Sequence, residues 1–102
     1  MNEIVLDVVK REKELRKQIE DLGTKNVILH LQKDYIPPSG NSIGKKLRVK
    51  ALSIEFGAFY FLLRDDDGKL VLSAKTSVFN VERLERDSTE YPVFFYGGGH
   101  PE

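Results

Sequence analysis

Apolar and polar positions follow two different periods along this chain. Between residues 3 and 22, Val5, Val8, Leu15, Ile19 and Leu22 recur at three- and four-residue steps. That spacing lines one face of an α-helix. Glu12 is the one polar interruption of the stripe. Lys10 to Lys17 is almost wholly charged, Glu12 and Arg16 form a favourable i,i+4 pair, and Gly23 stands where a glycine cap belongs. The opening Ile4-Val5-Leu6-Asp7-Val8-Val9 is β-branched enough for a strand; the long charged continuation decides for a helix over 3–22.

From Asn26 the period becomes two. Val27, Leu29 and Leu31 point one way, and Ile28, His30 and Gln32 the other, which predicts a first strand. Residues 34–46 hold Pro37-Pro38, Ser39-Gly40-Asn41-Ser42 and Gly44, and read as a loop. The run Leu47 to Leu84 is rich in β-branched and aromatic residues and is cut by Asp65-Asp66-Asp67-Gly68. It predicts a bent antiparallel meander with a hairpin turn that puts Gly68 at positive φ. Alternation sends Phe59, Phe61 and Leu63 to one face and Tyr60 and Leu62 to the other. A strand apolar on both faces is buried twice or lies near an interface. Phe59, at the strand's start beside the Gly57-Ala58 turn, is the aromatic expected to stand clear of the core. Beyond Leu84, Glu85 to Thr89 is polar. Tyr91-Pro92-Val93-Phe94-Phe95-Tyr96 is an aromatic cluster, and Gly97-Gly98-Gly99-His100 a mobile tail. The cluster needs a surface to cover it, on its own barrel or in an oligomer interface.

At 102 residues the chain is one domain. Its 16 basic and 16 acidic residues cancel. A non-specific duplex binder is normally strongly basic, so that class is disfavoured, but a localised charged surface is not. The absence of cysteine removes disulfides, thiolate zinc sites and thiol nucleophiles together. No apolar stretch is long enough to span a bilayer, and Glu3 and Asp7 interrupt any signal-peptide pattern. The expected location is the cytoplasm.

Motifs that suggest chemistry do not survive their details. Gly40-Asn41-Ser42-Ile43-Gly44-Lys45-Lys46 has one residue too few between its glycines for a phosphate loop. It also lacks the Ser or Thr after the lysine, and precedes a strand rather than a helix. Asp65 to Asp67 lacks the distal Glu of a calcium loop. His30 and His100 have no partner at metal or triad spacing. The reading is a non-enzyme with no cofactor and no metal.

The strand pattern resembles a family. Phe56-Gly57-Ala58-Phe59-Tyr60-Phe61-Leu62-Leu63-Arg64 and Lys75-Thr76-Ser77-Val78-Phe79-Asn80-Val81, with the helix and first strand before them, resemble the Sm-like proteins, which include bacterial Hfq. The resemblance implies a mainly β fold: an N-terminal α-helix and a five-stranded, strongly bent antiparallel barrel. It makes 1–84 the Sm-like domain, with helix 3–22 and barrel 26–84 carrying the inserted loop 34–46, and 85–102 a C-terminal extension. It implies a cyclic homo-oligomer, with the fourth and fifth strands (Leu70-Val71-Leu72 and Val78-Phe79-Asn80-Val81) paired between neighbours. It also implies single-stranded RNA bound around the pore, or a ring kept only as a protein-interaction scaffold. In the family's RNA site an acidic residue corresponds to Gly57, a glutamine to Ala58, the stacking aromatic to Phe59, and a Lys-His pair to Lys75-Thr76. Phe61 stands where some relatives carry an asparagine. The aromatic and the lysine are kept; the other hydrogen-bonding groups are not.

Overall fold

The computed structural model describes residues 3–91. The first element is helix α1 (Glu3–Leu22). It ends at Gly23, whose N–H reaches back to the carbonyls of Ile19 and Glu20 at 3.1 Å each, with φ +71°. Only glycine takes that left-handed cap without a Cβ clash. Strands β1 (Asn26–Leu31), β2 (Lys46–Glu55), β3 (Ala58–Arg64), β4 (Leu70–Ser77) and β5 (Val81–Arg86) follow. All pair antiparallel, in the order β4-β3-β2-β1-β5. The sheet is open and not closed into a barrel: β5 returns to β1, so β4 and β5 are its two edges, and among the described residues no ladder joins them.

Two strand boundaries differ from the pattern reading. Val78 to Asn80 is a single 3₁₀ turn rather than the start of the last strand. The Ser77 hydroxyl accepts the Phe79 N–H at 3.1 Å, a local bond that competes with the ladder. The last strand then continues to Arg86, past Leu84. In β2 the ladder shifts between Ala51 and Ser53, which leaves Leu52 as an extra, exposed residue. That bulge restores the alternation, so Ile54 faces inward opposite Phe59.

The core lies between α1 and one face of the sheet. Leu15 from the helix joins Val27, Leu29, Val49, Phe59, Phe61 and Val81, all fully buried. Loop 34–46 folds back on itself, with Tyr35 N–H to Gly44 O at 2.8 Å and Ile43 N–H to Tyr35 O at 3.0 Å. The Tyr35 ring meets Phe61 edge-on, 5.8 Å between centroids, so the inserted loop covers one end of the core. The helix is also clamped by polar groups. The buried Glu12 carboxylate accepts the Gly57 N–H at 2.6 Å, and Arg11 Nε donates to Val78 O at 3.4 Å. Arg11 and Arg16 further reach the carbonyls of Val81 and Ile54. Glu12, which interrupts the apolar stripe, therefore ties α1 to the β2–β3 turn. A charge-assisted bond of this kind contributes roughly 1.5–3 kcal/mol.

Candidate nucleic-acid interface

The face of the sheet turned away from α1 follows from alternation and register. It takes Lys46, Arg48 and Lys50 from β2, Arg64 from β3, Lys75 from β4 and Arg83 from β5. Against these six basic side chains, the same strand positions carry two carboxylates, Glu55 and Glu85. Tyr60 and Leu62 stand among them on β3, opposite Lys75 and Ser73. The Lys75 ammonium lies 5.9 Å from the centre of the Tyr60 ring. Half-buried Tyr60 thus presents an aromatic edge and face within a positively charged surface. Such a combination suits unstacked bases on a phosphate backbone.

A hydrogen bond with His30, 2.8 Å from the ring Nε2, holds the Glu85 carboxyl below the usual carboxylate range, and Arg83 and Lys46 add to it. Asp87, just after β5, is buried. Burial by itself pushes its carboxyl up, but hydrogen bonds from Tyr91 and Thr89, helped by Arg48, outweigh that and lower it. Burial, and then the Asp87 partner, push the Tyr91 phenol up.

Arg64 is less available than the other basic groups. It donates to Gly68 O at 2.7 Å and to Asn26 Oδ1 at 2.8 Å, and its guanidinium sits 4.1 Å from the centre of the Tyr91 ring. Tyr91 is packed so closely on the β3–β4 turn that a Cβ at Gly68 would clash with its ring. Among the described residues, the segment after β5 therefore covers the Arg64 end of the face and not the Tyr60–Lys75 end. The turn itself is as expected: Gly68 has φ +85°, and Asp65 Oδ1 accepts the N–H groups of Asp67 and Lys69 at 2.9 Å each.

The five residues matched to the family's RNA site come together at one end of the β3–β4 ladder, but not on one face. Ala58 pairs with Ser77, Phe59 with Thr76, and Tyr60 with Lys75. Phe59 is 0 % exposed, and its ring lies 6.1 Å from that of Phe61. The expectation that Phe59 stands clear of the core is corrected: it shares the inward parity of Phe61, and no bulge intervenes to turn it outward. Its neighbour Tyr60 takes the outward position beside Lys75. Thr76 Oγ1 accepts from the Asn80 amide at 3.0 Å, and Asn80 Oδ1 in turn accepts the Lys33 N–H at 2.8 Å. The Thr76 hydroxyl is thus engaged in holding the β4–β5 connection. Gly57 has both backbone groups committed, its N–H to Glu12 and its carbonyl to Val78 N–H at 3.0 Å.

Pattern reading missed the basic face because its members are scattered over four strands. The signal was present in Lys46, Arg48 and Lys50, three cations at every second position of one strand. It also missed Phe56. The two-residue turn is Phe56-Gly57 rather than Gly57-Ala58, with φ +54° and +77°. Positive φ at both positions is a type I′ hairpin, which matches the twist of the flanking strands. The aromatic in it is 90 % exposed. Comparison with protein-family models, with curated proteins and with solved structures finds no match to this chain.

Proposed function

We propose that the chain is a non-catalytic subunit of a cyclic homo-oligomer, Sm-like in plan, that binds single-stranded RNA on the face turned away from α1. The observation that carries this reading is the Tyr60–Lys75 pair on the outer face, with Lys50 level with the adjacent outward residue Leu62. Bases stack on Tyr60, and the lysines meet phosphates. Stacking contributes roughly 1–3 kcal/mol per base, so repetition around an oligomer offsets a zero net charge. Assembly is supported by the two open edges. β4 offers eight residues and β5 six, and head-to-tail pairing of unlike edges closes into a ring when the rotation permits.

The test is binding of short oligo-U and oligo-A across a salt series. Log affinity should fall with log salt by roughly 0.7 per phosphate contact. Lys50→Glu and Lys75→Glu should each weaken binding and flatten that slope. Light scattering at micromolar concentration should show a closed oligomer; a monomer removes the ring. No binding at low salt removes the RNA reading and leaves the protein-interaction scaffold. That second reading has its own observation: the exposed residues Val5, Val9 and Phe56 line one apolar groove at the start of α1.

A further inference from the structure

The Arg64 end of the basic face holds an open cavity of about 600 Å³, between the β3–β4 turn, loop 34–46 and the segment after β5. Lys46, Arg48 and Arg64 line it. The β2–β3 register pairs Val49 with Leu63; continued by one step it sets Arg48 directly against Arg64, with Lys46 next on the same face of β2. Like charges in directly opposed positions destabilise a ladder. Among the described residues none of the three forms an ion pair. The nearby carboxylates are engaged elsewhere: Glu85 by His30 and Arg83, Asp87 by Tyr91 and Thr89, Asp65 by the N–H groups of its own turn. Arg64 Nε is moreover buried without a hydrogen-bond partner among the described residues, which adds to the cost. A bound anion offsets crowding of this kind through charge-assisted hydrogen bonds. The remaining wall is apolar and aromatic. Ile43 and Val71, both exposed, face it with Leu63 and with the Tyr91 ring, which Asp87 and Arg64 hold in place.

We infer that this cavity binds a nucleoside monophosphate, free or as the phosphorylated end of a strand. Its phosphate lies on Lys46 and Arg48, a point charge beside a bidentate fork. Its base packs on the apolar wall and the Tyr91 ring. The cavity falls in the size range of small-molecule sites, and its pairing of a few convergent charges with apolar surface is what such a ligand requires. Tyr60, Lys50 and Lys75 do not line it. The site is therefore separate from the stacking pair, and stands whether or not RNA binds at Tyr60.

The test is amide chemical-shift mapping on the full chain, with uridine 5′-monophosphate, uridine and inorganic phosphate as probes. Uridine 5′-monophosphate should move the amides of Arg48, Asp66 and Gly68 with a midpoint below about 1 mM. Uridine, lacking the charge-assisted bonds, and phosphate, lacking the base, should each bind at least about tenfold more weakly. Arg48→Gln should weaken the nucleotide at least about tenfold and leave Tm unchanged or higher, since it also removes the opposed like charge. Oligo-U with and without a 5′-phosphate distinguishes the two sources. Tighter binding of the phosphorylated strand, lost in Arg48→Gln, identifies a strand end; equal binding of the two identifies the free nucleotide. Shifts no larger with the nucleotide than with phosphate overturn the inference. So do shifts that persist in Arg48→Gln and vanish in Tyr60→Ala. Oligo-U binding without any nucleotide shift at the cavity overturns this inference and keeps the RNA reading; nucleotide shifts at the cavity without oligo-U binding support it and remove the RNA reading alone.

Discussion

Phe59 and Tyr60 are neighbours on β3 whose side chains leave opposite faces, so truncating each separates folding from binding. Phe59 is fully buried against Phe61 in the core shared with Leu15. Phe59→Ala removes a phenyl ring from a close-packed interior and leaves a cavity, at a cost of about 3–5 kcal/mol. For a domain of this size each kcal/mol lowers Tm by roughly 4–8 °C, so a fall of at least about 12 °C is expected. Tyr60 is half-buried on the outer face, and Tyr60→Ala should cost about 1 kcal/mol in stability. Its effect appears in binding instead. Losing one stacked base at roughly 1–3 kcal/mol weakens single-stranded RNA about 5- to 150-fold. Tyr60→Phe keeps the π face and should keep most of the affinity. The assay pairs thermal unfolding by circular dichroism with anisotropy of labelled oligo-U at low salt, on the same preparations. Wild-type affinity in Tyr60→Ala would refute the stacking platform. A wild-type melting temperature in Phe59→Ala would refute the inward placement of that ring.

Three further outcomes follow from the contacts around the site. Glu12→Ala leaves the Gly57 N–H without its acceptor and should destabilise by roughly 1–3 kcal/mol in chemical denaturation, whereas an exposed change such as Lys13→Ala should do little. The Asp87–Tyr91 bond has two pH limits. The Asp87 carboxyl is lowered in the folded chain, so its contribution is complete above the unfolded value near about pH 4 and is lost as pH falls further. The Tyr91 phenol is raised, so its contribution is complete below about pH 10 and is lost as pH rises through the folded value. Asp87→Asn should remove the contribution of this carboxyl to the acid slope of a stability–pH profile; an unchanged slope contradicts the pairing. Gly68→Ala forces a Cβ into the Tyr91 ring at a φ of +85°, and should expose Tyr91 to a fluorescence quencher while lowering Tm.

The helix, its glycine stop, the first strand and the acidic hairpin turn were all legible in the sequence. Each depends on local rules: a period of 3.6 or 2, a cap, a turn residue. The helix occupies Glu3–Leu22 as the pattern predicts. The inward parity of Phe61 was legible for the same reason. Two local devices escaped the pattern. Ser77 captures a backbone N–H and turns Val78–Asn80 into a 3₁₀ turn, although those residues have the composition of a strand. The bulge at Leu52 resets which residues of β2 face the core.

What the tertiary structure alone decided is how distant positions meet. Sequence parity put Tyr60 and Leu62 opposite Phe59 and Phe61, but only the pairing of β3 with β4 sets Tyr60 beside Lys75. Only the ladder through β1, β2 and β5 brings Arg83 onto the face that Lys46 and Lys50 share by alternation. Glu12 reads as a flaw in the helix stripe until the β2–β3 turn brings the Gly57 N–H to it from 45 residues away. The return of β5 to β1 leaves β4 as the opposite edge, which makes an open sheet where the family resemblance implied a strongly bent barrel. Periodicity is a property of neighbours in sequence. Register, edge order and the sign of a surface are properties of strands that meet only after the chain has folded, and hydrogen-bond pairing between them carries no periodic signature of its own.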